Sequence, residues 1–158
     1  MTGIDPGEFR SVLGHFASGV ALLTGAHGGQ PAGLTCQSFF SLSLDPPLVA
    51  VAPSRKSTSW PRVASSGSIC VNVLAADQEP LARNFARTGT DKFAGVGWTP
   101  GSNGAPRLHG ALAWIDCQVQ DVHDGGDHHL VVARVVELES APGQPLLFYR
   151  GGFGSFVP

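Results

Sequence analysis

Apolar positions along the chain first recur at helical spacing and then settle into short, mostly alternating runs. Phe9, Val12, Leu13 and Phe16 lie three or four residues apart, as on one face of a helix. Asp5 ahead of them suits an N-cap, Pro6 the first helical position, and Glu8 the third residue after the cap. The pattern predicts a helix that opens at Pro6 and ends at Gly19. Short β segments follow. VALLT (20–24) and PAGLTC (31–36) flank the glycine-rich AHGGQ, which reads as a turn. PLVAVAP (47–53) and SICVNVLA (68–75) predict two more strands, with a Ser-rich loop and a short helix around Trp60–Ala64 between them. A second short helix fits Asp77–Ala86, with Asp77 as its cap and Pro80 in its first turn.

The C-terminal third predicts a long hairpin, ALAWIDCQVQDV (111–122) answered by LVVARVVEL (130–138) across the turn composition DGGD. A last strand is expected over PLLFYRGGF (145–153). There are no internal repeats and no linker long enough to separate domains, so residues 1–158 read as one domain. About seven strands with short helices give a mainly β fold, a barrel or sandwich with helical decoration, and the pattern favours a barrel. No GxGxxG follows a strand and no P-loop occurs, which argues against a doubly wound α/β fold.

Composition narrows the function classes. Charged residues are 14% of the chain, hydrophobic residues 42%, and the formal net charge is −2, so nucleic acid is not the expected partner. The three cysteines, Cys36, Cys70 and Cys117, are far apart with no CxxC pair; they read as buried small hydrophobes in a reducing compartment. No signal-like segment opens the chain and no apolar run reaches membrane-spanning length. A cytoplasmic location without membrane attachment is the expectation. Low charge with three tryptophans and nine phenylalanines also fits a chain that buries extra apolar surface in a subunit contact.

Three stretches carry candidate chemistry. In GLTCQSFFSLS (33–43) a strand ends at Thr35–Cys36 and runs into a polar loop through Gln37 and Ser38. Such a loop can offer backbone N–H groups and hydroxyls to a flat heteroaromatic, or its hydroxyls can serve only its own backbone. In SRKSTSW (54–60), hydroxyls, Arg55, Lys56 and a helix start make an anion site the size of one phosphate. Capping by Ser57 or Thr58 beside solvated cations reads it as well. Asp91-Lys92-Phe93 could add a cation and an aromatic wall. The third stretch is GGDHH (125–129), an aspartate and two histidines at the mouth of a strand. His128 and His129 point to opposite faces of a strand and cannot share an ion. His123 could join His128 across the turn, but two ligands fall short of a zinc site. No GxSxG or recognisable nucleophilic cysteine offers a catalytic dyad. Turn shaping by Asp127 and His128 stays open beside the metal reading.

Together these stretches resemble the short-chain flavin reductases, the reductase components of two-component flavin-dependent monooxygenases. The resemblance runs from about Phe9 to Phe156 and rests on FASGVALLT (16–24), GLTCQSFFSLSLDPPLV (33–49), SxxSxSW (54–60), ICVNVL (69–74), LARNFA (81–86), DKF (91–93) and GDH (126–128). It implies a homodimeric split β-barrel that passes electrons from NADH or NADPH to FMN or FAD, with reduced flavin diffusing to a partner monooxygenase. It implies that Thr35, Cys36, Gln37 and Ser38 meet the isoalloxazine and ribityl, and that Ser54, Ser57 and Ser59 neighbour the ribityl and phosphate with help from Phe85, Lys92 and Phe93. His128 would lie by the nicotinamide and flavin, with His129 an outward neighbour. Cys36 stands where many relatives carry Ala or Ser, which fits a contact made through the backbone. A flavin carrier or sensor with little reductase activity is the alternative.

Overall fold

The computed structural model describes residues 3–89 and 91–158. Helix α1 (Pro6–Leu13) starts as its sequence dictates, with Asp5 accepting a hydrogen bond from the Glu8 amide at 2.9 Å. It stops at Gly14, five residues short of the predicted end. Its apolar face meets no core: Phe9, Val12, Leu13 and Phe16 are all exposed.

The strands follow in order: β1 (Ser18–Gly19), β2 (Ala21–His27), β3 (Gln30–Cys36), β4 (Phe40–Ser43) and β5 (Leu48–Val51). Helix α2 (Trp60–Val63), β6 (Ser68–Val73), a 3₁₀ turn (Ala76–Gln78) and α3 (Glu79–Phe85) come next. The chain closes with β7 (Trp98–Pro100), β8 (Pro106–Leu108), β9 (Ala113–Gly125), β10 (His128–Ser140), β11 (Leu146–Tyr149) and β12 (Gly152–Ser155). Among the described residues no helix is long and apolar enough to cross a membrane.

The main sheet is antiparallel and runs β3-β2-β6-β9-β10-β5-β4. The fold is mainly β, as expected, and the hydrogen-bonded ladder of this sheet is open, with β3 and β4 as its ends. Side chain replaces ladder at the corner between these ends. Ser38 Oγ donates to Ala52 O and accepts from Ala52 N, both at 3.0 Å, satisfying backbone that a neighbouring strand would otherwise pair. The predicted last strand is instead the hairpin β11–β12, turned at Arg150 (φ 50°) and Gly151 (φ 81°), and it forms a small sheet with β1.

Strand β2 organises the interior because both its faces are buried. Ala21 and Leu23 join a core with Ile69, Val71, Val131 and Ala133, while Val20 and Leu22 join a second with Leu74, Phe85, Leu108 and Leu146. This is the two-residue period of a strand packed on both sides. Helix α2 lies directly on it: a Cβ at Gly25 would stand 2.1 Å from Val63 O. Only glycine permits that approach. Asn72, fully buried, donates to Leu22 O and Thr24 Oγ1 at 3.0 Å each and accepts from the Leu108 amide at 2.8 Å, fastening β8 to β2.

Cys36, Cys70 and Cys117 are buried free thiols, and burial pushes Cys117 up to about 12. Beside Cys70, Asp116 is fully buried. Burial works to raise its pKa, but hydrogen bonds from Arg107 (2.7 Å) and Ser102 (3.0 Å) outweigh this and hold the carboxyl below its usual range. A carboxylate with a depressed folded-state pKa stabilises the fold above its unfolded value and loses that contribution as pH falls through the folded one. Arg107→Met strands the charge, so we expect a loss of about 3–5 kcal/mol at neutral pH. Acid protonates the variant's stranded carboxyl first, relieving its cost, and begins to erode the native pair only below the unfolded value, so the gap between the two proteins should narrow toward about pH 3.5. Urea unfolding of both proteins at the two pH values checks this; a constant gap would contradict it.

Candidate active site

One cleft of about 560 Å³ gathers segments from across the chain. The end of β3 and the following corner supply Leu34 to Ser38, and the loop after β5 supplies Ala52 to Ser54 and Lys56 to Ser59. The end of α3 supplies Phe85 to Thr88, and Lys92 and His128 complete the wall. Ten of the eleven residues singled out from the sequence therefore meet in one place. The exception is Phe93, which stands behind the wall with its ring edge-to-face on Phe85 at 4.8 Å and on Trp98 at 6.2 Å. It supports Phe85 rather than lining the cleft. Phe85 in turn lies so close over β3 that a Cβ at Gly33 would meet its ring at 2.8 Å.

Local bonding shows what each polar side chain is doing. Thr35 Oγ1 donates to Ala82 O at 2.6 Å and pins β3 to α3. Cys36 Sγ and Ser38 Oγ are 3.2 Å apart; burial pushes the Cys36 thiol up, with the Ser38 hydrogen bond working the other way. The N-cap position of α2 is Ser59, whose side chain makes no capping bond; Ser57 Oγ, two residues earlier, satisfies the first helical amide by accepting from Trp60 N–H at 3.0 Å, and Ser54 Oγ accepts from the Lys56 amide at 3.1 Å. Capping and cleft lining are thus the same arrangement, not alternatives.

Lys92 is the electrostatic centre. Its residue is only 5% exposed, and its ammonium donates to Ser59 Oγ (2.9 Å), Phe85 O (3.0 Å) and Gly33 O (3.3 Å). All three acceptors are neutral, so the charge has hydrogen bonds but no bonded counter-ion. Burial lowers its pKa, and the nearby Arg87 and Arg62 lower it further. The cleft wall carries Lys56, Arg87 and Lys92 and, among the described residues, no carboxylate. Such a wall suits an anion, because a bound negative charge relieves the repulsion among the cations.

His128 enters at the rim from the first position of β10. The hairpin turn before it is tight, with Gly126 at φ 74° between Gly125 and His128, which pair in the ladder. Its Nδ1 lies 2.7 Å from Asp127 Oδ1, and this hydrogen bond holds the Asp127 carboxyl below its usual range. With Nδ1–H donated to Asp127, Nε2 is left to a ligand. An isolated antiparallel bridge sets His128 directly beside Ser54 of the serine loop. His129 lies outside the lining. His123 pairs with Leu130 rather than His128, and the described residues hold no group of three or more His, Cys, Asp or Glu side chains placed to bind a metal.

Sequence reasoning missed Arg87 and Thr88, which follow α3 without a local signal of their own. It also placed Arg55 among the cations of the anion site. Arg55 is the residue of its loop that does not line the cleft; it turns to the β9–β10 hairpin instead. A smaller apolar cavity of about 240 Å³, walled by Val20, Phe39 and Val73 among others, adjoins the cleft at Cys36 and Gln37.

The family model described as a flavin reductase like domain matches residues 13–156. The reductase subunit HsaB of a flavin-dependent monooxygenase from Mycobacterium tuberculosis is 47% identical, over 98% of this chain and 84% of that protein. The crystal structure of nitrilotriacetate monooxygenase component B from Mycobacterium thermoresistibile superposes with a TM-score of 0.95 at 46% identity, covering 100% of this chain and 90% of that one. The NADH:FAD oxidoreductase SgcE6 of Streptomyces globisporus, solved in complex with NAD and FAD fragments, gives a TM-score of 0.90 at 35% identity, covering 100% of this chain and 98% of that one.

Removing the Lys92 ammonium leaves Gly33 O, Phe85 O and Ser59 Oγ short of a donor. Lys92→Met should therefore cost about 1–3 kcal/mol of stability, and added phosphate should protect the native protein more than this variant against thermal unfolding. Equal protection of the two would show that the cleft's charge does not depend on Lys92.

Proposed function

The chain belongs to the flavin reductase-like family, and we propose that it transfers reducing equivalents from NADH or NADPH to FMN or FAD and so supplies a partner monooxygenase with reduced flavin. The observation that carries this reading is the carboxylate-free, cation-walled cleft that brings Thr35–Ser38, Ser54–Ser59, Lys92 and His128 together. The fit is chemical as well as spatial. A flavin nucleotide has an anionic phosphate, a hydroxylated ribityl chain and a ring with an acceptor-rich edge and an apolar edge. Lys56 and Arg87 answer the phosphate, the serine loop answers the ribityl, and the corner at Thr35–Ser38 answers the ring, with the adjoining apolar cavity at its far side.

The cofactors carry the redox chemistry themselves, hydride passing from the nicotinamide to the flavin. The protein's work is placement. Holding two planar reactants in register can supply several kcal/mol of the barrier. Lys92 keeps a fixed positive charge beside the bound anion without being consumed as a direct ligand, since its donors are already used. Thr35 and Phe85 hold β3 and α3 together behind the ring site. His128 presents Nε2 at the rim as an acceptor, where it orients the nicotinamide carboxamide by accepting from its amide N–H, and is not asked to act as a base.

In the same reading the chain is a split β-barrel working as a homodimer. The apolar face of α1, with Phe16 at 85% exposure, and Leu44 at 93% on the β4 side have no cover among the described residues. Large apolar side chains left exposed in this number point to an interaction surface. Light scattering should give a mass near twice 16.4 kDa; a monomer would overturn the dimer.

The decisive experiment is to add FMN or FAD to the protein and follow NADH and NADPH oxidation in air. Flavin-dependent oxidation establishes the reductase. A protein that binds flavin yet leaves both nicotinamides untouched would make it a carrier. His128→Ala should raise the KM for the nicotinamide by about tenfold, the loss of one good hydrogen bond, with a smaller change in flavin affinity. An unchanged KM would remove His128 from its assigned place.

A further inference from the structure

We propose that Arg55 is a positioning residue that clamps the β9–β10 hairpin tip to the serine loop and so sets where His128 stands; this rests on the reductase reading of the cleft. The hairpin tip is exposed and turns on a glycine, and Asp124, Gly126, Asp127 and His128 have little packing to hold them. Arg55 holds them through both backbone and side chain. Its amide donates to Asp127 O at 3.0 Å, its Nε donates to Gly126 O at 2.8 Å, and its Nη2 pairs with the Asp124 carboxylate. The carbonyls it grips belong to the two successive peptides that lead into His128.

An exposed ion pair alone contributes little. Here the planar guanidinium engages a carbonyl and a carboxylate at once, and that fork fixes direction as well as distance. Two stitches between the segments are main-chain and do not depend on the side chain: the Arg55 amide on Asp127 O and the His129 amide on Pro53 O at 2.9 Å. The serine loop, by contrast, has anchors of its own: Ser38 on Ala52, Ser57 on the Trp60 amide and Ser59 on Lys92. Loss of the Arg55 side chain removes the grip on Gly126 O and Asp124 and should therefore loosen the hairpin tip, while the flavin wall stays in place.

Two measurements test this. Amide exchange on the full chain without cofactors asks about the clamp itself. In Arg55→Ala the His129 amide should exchange about tenfold faster, as a local opening would allow, while amides of β2 and β6 keep their protection. Unchanged exchange at His129 overturns the clamp, whatever the protein's activity. Kinetics then ask whether the clamp acts through His128. Arg55→Ala should raise the KM for the nicotinamide about fivefold, and should add less than about twofold in a His128→Ala background. Equal effects in both backgrounds overturn the proposal. Arg55→Lys keeps the charge but cannot span both acceptors, so it should behave like Arg55→Ala; wild-type behaviour would show that charge alone suffices and would also overturn it. If the unaltered chain oxidises no nicotinamide with any flavin, the reductase reading fails, and the exchange experiment still decides the clamp.

Discussion

The site depends on one buried ammonium. Lys92 reaches under the cleft and ties the end of β3, the serine loop and the end of α3 to a single point through Gly33 O, Ser59 Oγ and Phe85 O. These segments lie far apart along the chain. Strand β3 is fixed by its pairing with β2, but the serine loop and α3 contain little regular structure to set their own positions; α2 has four residues and α3 seven. The ammonium's geometry does what a longer element would do elsewhere. Asn84 Nδ2 closes the arrangement by donating to Lys92 O at 2.7 Å, so the lysine's own backbone is tied to the helix it supports.

The protein buries charge in two ways, and the contrast separates scaffold from site. Asp116 is fully buried but matched by Arg107 and Ser102, a pair that is closed to outside ligands. Lys92 is nearly as buried and has hydrogen bonds only to neutral groups. A charge left without its opposite at the wall of a cleft creates a field that a ligand can complete. The strongest thiol perturbations, at Cys70 and Cys117, lie with Asp116 in the interior and not in the cleft. Perturbed titration often marks a functional site, but here the largest shifts record burial in the core. The cleft is marked instead by cations in its wall with, among the described residues, no carboxylate.

The elements with a clear period were legible in the sequence: the cap at Asp5, the two short helices, and the strands β2, β3, β5, β6, β9 and β10. Their residues carry the signal locally. The short strands β4, β7, β8 and β12 were not legible, because three or four residues are too few to show an alternation and Pro100 and Pro106 read as breaks. The β11–β12 turn was hidden by Arg150, which takes a left-handed conformation that a sequence normally announces with Gly or Asn. The face of α1 was read correctly as apolar, yet periodicity cannot say what covers a face. Within the site, runs of consecutive loop residues were recognisable as a pattern. Arg87 and Arg55 were lost or misplaced because their roles come from contacts that local sequence does not encode; Arg55 and Gly126 are separated by 71 positions.

The chemistry proposed for the cleft explains why its residues look so unlike a catalytic constellation. Acyl or phosphoryl transfer needs a nucleophile, a base and a charge stabiliser in mutual contact, and such groups leave spacing signatures. Hydride passage between two bound cofactors needs none of these; it needs two flat molecules held face to face with water kept out. Selection for placement falls on backbone corners, small residues and hydroxyls: Gly33 under Phe85, Thr35 on Ala82, Ser38 on Ala52. These are the features the cleft displays. His128 fits the same logic, since its Nδ1 is committed to Asp127 and its value lies in where Nε2 points. A site built for placement is then as exact as the scaffold behind it, and that makes the side chains one step removed from the ligands, Lys92 below and Arg55 at the rim, the natural places for its accuracy to be set.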